Sequence, residues 1–129
     1  MAVIFVQTLK PHQTNSATFI PIPDLTLTLP EGSMDQALVI LNVPSASAVG
    51  ESNFGTGGRF GVAVDGVTLP AYAEFTYEAA GRNDRVPVTL VVAVPLTDKL
   101  QKIQALYHAM PGATVRTGGS AASLSASSI

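Results

Sequence analysis

The sequence has 129 residues and a mass of 13.3 kDa, a size typical of one domain, with no cysteine and a formal net charge of −2. The missing thiols exclude a disulfide scaffold and a thiolate zinc site, and the seven scattered Lys and Arg residues argue against a nucleic-acid groove, which needs clustered cations. Hydrophobic residues make up 47% and charged residues 12%, so the composition indicates more apolar surface than a small monomer buries and favours an oligomer.

The residue pattern predicts an all-β fold, because eleven Gly and nine Pro interrupt the chain at short intervals and β-branched residues fill the spaces. The first apolar segment, 1–6, has no basic residue before it and predicts a strand, not a signal peptide. No apolar stretch approaches the ~20 residues of a membrane-spanning helix. The predicted strands are Ala2–Leu9, Ala17–Ile20, Leu25–Leu29, Gln36–Val43, Arg59–Val64, Ala71–Tyr77, Val86–Val94, Ile103–His108, Thr114–Thr117 and Ala121–Ser125.

Hydrophobic patterning distinguishes the predicted strands. Leu25–Leu29 alternates strictly and predicts a half-buried strand, whereas 37–43 and 86–94 are apolar on both faces. An antiparallel sandwich tolerates such strands where the outer face is also covered, and a neighbouring subunit is the simplest cover. Residues 98–110 also fit a helical period, so a short helix is the alternative to a strand there.

Two segments are poor in large apolar residues. Residues 44–58 are rich in Ser, Ala and Gly and predict a loop, the kind of segment that often carries binding residues. In 118–129, Ser alternates with small apolar residues, which predicts a last strand with a frayed end at 127–129. We expect one domain over residues 1–129. We also expect a soluble protein made in the cytoplasm, with non-classical export to the cell surface or beyond it as an alternative.

The available chemistry favours recognition over catalysis. His12 and His108 lack metal-ligand spacing and the acidic residues are dispersed, so we expect no enzyme, metal site or cofactor. Residues 74–78 and 81–85 instead combine a Tyr with Arg, Asn and Asp. An aromatic face and a guanidinium fork suit the C–H face and the hydroxyls of a sugar. A solvated turn with a surface ion pair is the alternative.

Four segments, 39–44, 75–77, 85–91 and 120–126, resemble the tumour-necrosis-factor-like fucose-binding lectin domain at the N-terminus of a Burkholderia superlectin. The resemblance covers most of the chain and is strongest from residue 36 onward. It implies a jelly-roll β-sandwich, like tumour necrosis factor and C1q heads, that assembles as a homotrimer. It also implies binding of fucosylated glycans, without calcium, in clefts between protomers.

The resemblance carries over three sugar-binding residues unchanged: the family's Thr-Tyr pair falls on Thr76 and Tyr77, and its Arg falls on Arg85. We expect Arg85 to donate a fork of hydrogen bonds to vicinal hydroxyls while Tyr77 closes the other side. Arg82 and Asn83 stand where the family has Ser and Thr. Together with Asp84, they are expected to set which sugar fits.

Other family positions differ here. Ser47 and Arg59 replace two family tyrosines, and Pro111 aligns with an Arg that the neighbouring protomer contributes, for which Arg116 is the candidate substitute. The sequence therefore predicts a lectin whose partners are glycans, fucosides first, with no nucleic-acid binding and no membrane insertion. The alternative is a non-catalytic structural or adhesive trimeric head with a decayed sugar site, which the loss of two aromatic contacts favours.

Overall fold

The computed structural model describes residues 3–32, 35–50, 56–77, 85–97 and 99–129. These residues form strands and connecting turns, and none of them belongs to a helix long and apolar enough to cross a membrane. The prediction of an all-β fold is confirmed. The strands are β1 Val3–Thr8, β2 Gln13–Thr14, β3 Ile20–Leu29, β4 Gln36–Gly50, β5 Thr56–Val64, β6 Val67–Tyr77, β7 Val86–Pro95, β8 Gln101–Ala109, β9 Ala113–Arg116 and β10 Ala122–Ser128.

The strands form two antiparallel sheets. One has the order β1-β10-β4-β9-β2, with β7 also paired to β4, and the other has the order β3-β8-β5-β6. The long strand β4 connects the two parts of the larger sheet, because its first part pairs with β10 and β7 and its second part pairs with β9. A register shift between Val43 and Ala46 separates these parts. Such a bulge bends a strand, so β4 can serve two sets of neighbours.

The core lies between the two sheets and follows the period-two alternation of the strands. Leu25, Leu27 and Leu29 are buried while the Thr residues between them are exposed, which confirms the half-buried strand predicted there. On the facing sheet, Val39 and Leu41 are fully buried. Each sheet therefore presents one apolar face inward, as a β-sandwich requires.

The predicted loop over 44–58 is wrong for residues 44–50 and 56–58, where β4 continues to Gly50 and β5 begins at Thr56. Residues 51–55 lie outside the described part of the chain. Ala46 and Ala48 are fully buried whereas Ser47 between them is partly exposed. This is ordinary strand alternation with small residues, so the pattern lacks the large apolar side chains that make a strand recognisable.

Two other segments also differ from prediction. Residues 17 and 18 form a bend, because the Ser16 hydroxyl donates to the Thr18 carbonyl oxygen at 2.7 Å and accepts from the Thr18 N–H at 3.2 Å, and β3 begins only at Ile20. The end of the chain is not frayed at residues 127 and 128. Strand β10 pairs through Ser128, and the Ile129 N–H donates to the Gln36 carbonyl oxygen at 3.2 Å.

Within the segment 98–110, residues 101–109 form a strand and not the alternative short helix. Strand β8 pairs with β3 on one side and with β5 on the other, so its main-chain groups are satisfied by two neighbours. Its helical apolar period therefore reflects a strand buried on much of both faces: Ala105, Leu106 and Tyr107 are all buried.

The outer face of the larger sheet carries exposed apolar side chains in register. Phe5, Ser125, Ile40 and Val91 are paired in sequence across β1, β10, β4 and β7, so they point to the same side. Phe5 is 57% exposed and Val91 is 53% exposed. Val3 and Leu38 lie on the same side in the neighbouring row. We call the five apolar residues Val3, Phe5, Leu38, Ile40 and Val91 the apolar outer face.

Candidate functional site

A cavity of about 370 Å³ opens on the larger sheet, beside its β9–β2 edge. It is formed by parts of the chain that are far apart in sequence. Its lining residues are Pro11, His12, Gln13, Ser47, Arg85, Arg116, Gly118 and Gly119. We call this cavity the arginine pocket.

Strand pairing brings the arginine pocket together. Gln13 on β2 is paired with Arg116 on β9, which is paired in turn with Ser47 on β4. Paired residues point to the same face of a sheet, so these three side chains form a row on the outer face. Arg85 enters from the start of β7, where Val86 pairs with Ala46 after the bulge in β4. The structure therefore unites three residues that the sequence predicts for the site, Ser47, Arg85 and Arg116.

The two arginines of the pocket are exposed, and no residue in the described part of the chain pairs with them. The ion pairs in the described part of the chain join His12 to Asp24 and Arg59 to Glu74. No described contact engages the guanidinium of Arg85 or Arg116 in a hydrogen bond, an ion pair or a ring contact. Both forks therefore present their donors to solvent and to any molecule that enters the cavity.

The wall of the pocket at His12 is held firmly. The main-chain N–H of His12 donates to the buried Thr117 hydroxyl oxygen at 2.9 Å, and the Thr117 N–H donates to the His12 carbonyl oxygen at 2.9 Å. The His12 ring lies beside Asp24, with Nε2 3.2 Å from Oδ2, and the Thr8 hydroxyl donates to the same oxygen at 3.4 Å. These contacts fix the position of the ring that lines the cavity.

Gly118, which lines the pocket, lets the chain lie close to Ser45 on β4. Its φ is +77°, in the left-handed region, and a Cβ at this position would overlap the carbonyl oxygen of Ser45. Only glycine fits both conditions without strain. No local pattern in the sequence marks Pro11, His12, Gln13, Gly118 and Gly119 as pocket residues, because they meet through the pairing of the short strand β2 with β9 and the hydrogen bonds between His12 and Thr117.

The remaining described candidates lie on the smaller sheet. Arg59 on β5 is paired with Glu74 on β6, and its Nε–H donates to Glu74 Oε1 at 2.7 Å. This hydrogen bond raises the pKa of the Arg59 guanidinium. The carbon at the centre of the guanidinium lies 4.5 Å from the centroid of the Tyr72 ring, a cation–π contact. Thr76 is exposed on the same outer face.

Tyr77 points to the opposite side of β6 from Thr76. It is 8% exposed and packs edge-on against Phe75, with 5.8 Å between ring centroids. Arg82, Asn83 and Asp84 lie outside the described residues, so their predicted roles stay predictions.

The candidate residues therefore form two groups in one protomer. Ser47, Arg85 and Arg116 line a cavity on the outside of the larger sheet, and Arg59 and Thr76 lie on the outside of the smaller sheet. The outer faces of a sandwich point in opposite directions. A single protomer thus cannot bring both groups to one small ligand.

Comparison with known proteins assigns a family. Residues 9–127 match the family described as the Bc2l-C N-terminal domain. No curated protein matches the sequence. Solved structures with a similar fold include the CBM36-1 domain of a multidomain xylanase from the hindgut metagenome of Trinervitermes trinervoides, at 12% identity and a TM-score of 0.50, covering 99% of this chain and 98% of that chain.

Two further structures complete the comparison. Latent PorU from Porphyromonas gingivalis has 10% identity and a TM-score of 0.53, over 96% of this chain and 12% of that chain. The EclA C-terminal domain, a sugar-binding protein, has 12% identity and a TM-score of 0.43, over 92% of this chain and 76% of that chain. The similarities to PorU and to the CBM36-1 domain show a shared β-sandwich fold.

Proposed function

The chain belongs to the Bc2l-C N-terminal domain family, and we propose that it is a non-catalytic lectin that binds glycans in the arginine pocket. Family membership confirms the resemblance seen in the sequence. One observation carries the proposal: two arginines that no described residue engages converge with a serine on a cavity of about 370 Å³. This volume lies at the lower end of the range of about 300–1,000 Å³ for small-molecule sites.

The pocket offers the donors that a sugar requires. Each guanidinium carries five N–H groups in a rigid plane, and this plane can span two neighbouring hydroxyls of a sugar ring. The Ser47 hydroxyl and the Gln13 amide add groups that both donate and accept. In this proposal Arg85 and Arg116 hold the sugar and Ser47 fixes its orientation. Fucosides are the first candidates, as the resemblance implies.

We propose further that the domain has a jelly-roll fold of the tumour-necrosis-factor type and that it assembles as a homotrimer. The apolar outer face supports this, because it exposes Phe5, Val91 and Val3, which is 61% exposed, on the same sheet that bears the pocket. Contiguous exposed apolar side chains are typical of protein interfaces. If this face is buried between protomers, the pocket lies beside the interface.

A trimer would also explain the division of the candidate residues. Arg59 and Thr76 on the smaller sheet of one protomer can meet the arginine pocket of its neighbour, which one protomer alone cannot arrange. Tyr77 then acts as an anchor, because its buried ring fixes the end of β6 that presents Thr76. In this proposal Arg82, Asn83 and Asp84, just before Arg85 in the chain, set which sugar fits.

Three pockets in one assembly would compensate for weak individual binding. A Kd of about 1 mM corresponds to only about −4 kcal/mol. Simultaneous binding at several sites raises the overall affinity for a glycan-coated surface by about 10² to 10⁴. The trimer is therefore part of the proposed function.

The alternative function is a structural or adhesive trimeric head without sugar binding. The state of Arg59 favours it, because the hydrogen bond to Glu74 and the contact with Tyr72 engage that guanidinium within the protomer. Arg85 and Arg116 have no such partner among the residues that the structure describes, which favours the lectin.

A glycan array with purified protein tests the proposal. Arg85→Ala should abolish the binding seen with the wild type, while light scattering shows an unchanged assembly. Lys102→Ala is the matched control, because it also removes one exposed cation but lies on β8, outside the pocket lining. Wild-type affinity in Arg85→Ala would contradict the lectin assignment. A wild-type protein that binds no glycan on a broad array would support the adhesive head.

A further inference from the structure

We propose that the arginine pocket prefers a sugar that carries a carboxylate or a sulfate over a neutral sugar. This inference rests on the proposed lectin function and narrows its substrate class to acidic glycans.

The charge of the pocket lining is the first argument. Its described residues include Arg85, Arg116 and His12, and none of them is an Asp or a Glu. The nearby acid Asp24 is engaged by the His12 ring and by the Thr8 hydroxyl. Asp24 therefore already has polar partners, whereas the two arginines have no described counter-charge. The described lining of the cavity thus carries a net positive charge.

The chemistry of the two arginines is the second argument. A neutral sugar satisfies the N–H groups of a guanidinium with hydroxyls but leaves the positive charge without a partner. A carboxylate or a sulfate supplies both acceptors and charge, and the planar fork of arginine matches such oxyanions with two parallel hydrogen bonds. Charge-assisted hydrogen bonds of this kind are about twice as strong as neutral ones.

The placement of the arginines is the third argument. Arg116 is fixed in the strand row between Gln13 and Ser47, and Arg85 enters at the start of β7. Gln13 and Ser47 are uncharged, so they suit the hydroxyls of a sugar ring rather than its acidic group. The pocket therefore offers cationic groups for the anion and neutral polar groups beside them for the ring.

Isothermal titration calorimetry with three lactose derivatives tests this preference. The probes are 3′-sialyllactose, which carries a carboxylate, lactose with a sulfated galactose, and the neutral 2′-fucosyllactose. We expect at least one acidic probe to bind about tenfold or more tightly than the neutral one. Comparison of the two acidic probes distinguishes a carboxylate ligand from a sulfate ligand.

Two further measurements distinguish charge recognition from general loss of the pocket. Arg116→Gln, which keeps a hydrogen-bonding side chain but removes the charge, should weaken both kinds of binding, with a loss about tenfold or more larger for the acidic probes. Raising the salt concentration should weaken acidic binding selectively, because salt screens exposed charges. Lys102→Gln is the control for a change in net charge outside the pocket lining.

The outcomes separate this inference from the proposed function. If 2′-fucosyllactose binds as tightly as both acidic probes and Arg85→Ala abolishes that binding, the acidic preference is wrong and the lectin assignment stands. If none of the three probes binds, the acidic preference is overturned, and the broad glycan array decides the lectin assignment. An equal loss of acidic and neutral binding in Arg116→Gln would also overturn the acidic preference.

Discussion

Replacing Phe5 by Ser tests whether the apolar outer face holds protomers together. Phe5 is 57% exposed and shares a row with Ile40 and Val91 on the outside of the larger sheet. The inner, core-facing side of β1 is untouched by this change, because Phe5 points away from the core. We therefore expect Phe5→Ser to weaken association and to leave the protomer folded.

The size of the effect follows from the exposed area of the side chain. Complete burial of a Phe side chain contributes about 1.5–3 kcal/mol, so covering the exposed 57% contributes about 1–2 kcal/mol for each protomer. Three copies give about 3–5 kcal/mol for a trimer. With a factor of ten for every 1.4 kcal/mol, the dissociation constant rises by at least about 100-fold. Because that constant depends on the square of the protein concentration, the midpoint concentration rises by about tenfold or more.

Sedimentation velocity over a dilution series measures this midpoint, and circular dichroism checks the fold. Val67→Ser is the matched control, because Val67 is 68% exposed but lies at the start of β6 on the other sheet. Its midpoint should equal that of the wild type. The reasoning is refuted if Phe5→Ser associates like the wild type, or if the wild type is a monomer at every concentration.

Two further substitutions test the packing of the sandwich. Gly58→Ala places a Cβ against Val115 Cγ2 and 2.7 Å from the His108 carbonyl oxygen. Urea denaturation should therefore show that the free energy of unfolding falls by about 1–3 kcal/mol. Gly119→Ala is the control and should not lower it, because a Cβ there has no heavy atom within 4 Å. Burial raises the pKa of Tyr107, so the folded state holds the phenol proton more strongly than the unfolded state. The free energy of unfolding therefore keeps the full contribution of the protonated phenol below about pH 10 and loses it as the pH rises through the folded pKa. Tyr107→Phe should therefore lose less stability than the wild type above about pH 10; equal losses would contradict this.

Local patterning predicted much of the fold. The alternation of Leu25–Leu29 and the apolar runs at 37–43 and 86–94 all correspond to strands, because burial of one or both faces imposes a period that is visible over a few residues. The same criterion failed at 44–50, where Ala46 and Ala48 fill the core with side chains too small to stand out from a loop. Residues 98–110 remained ambiguous because β8 is buried on much of both faces.

The sequence by itself determined the all-β class, the absence of thiol chemistry and, through a resemblance, the family, and it predicted Arg85 as a site residue. Only the tertiary structure decided that Arg85 shares a cavity with Arg116 and Ser47, and that Arg59 lies on the opposite sheet with a Glu partner. The physical reason is the distance along the chain over which each property is determined. Strand character depends on the pattern of neighbouring residues. A pocket depends on which strands pair, and the pairings of β2 with β9 and of β9 with β4 join segments far apart in the chain.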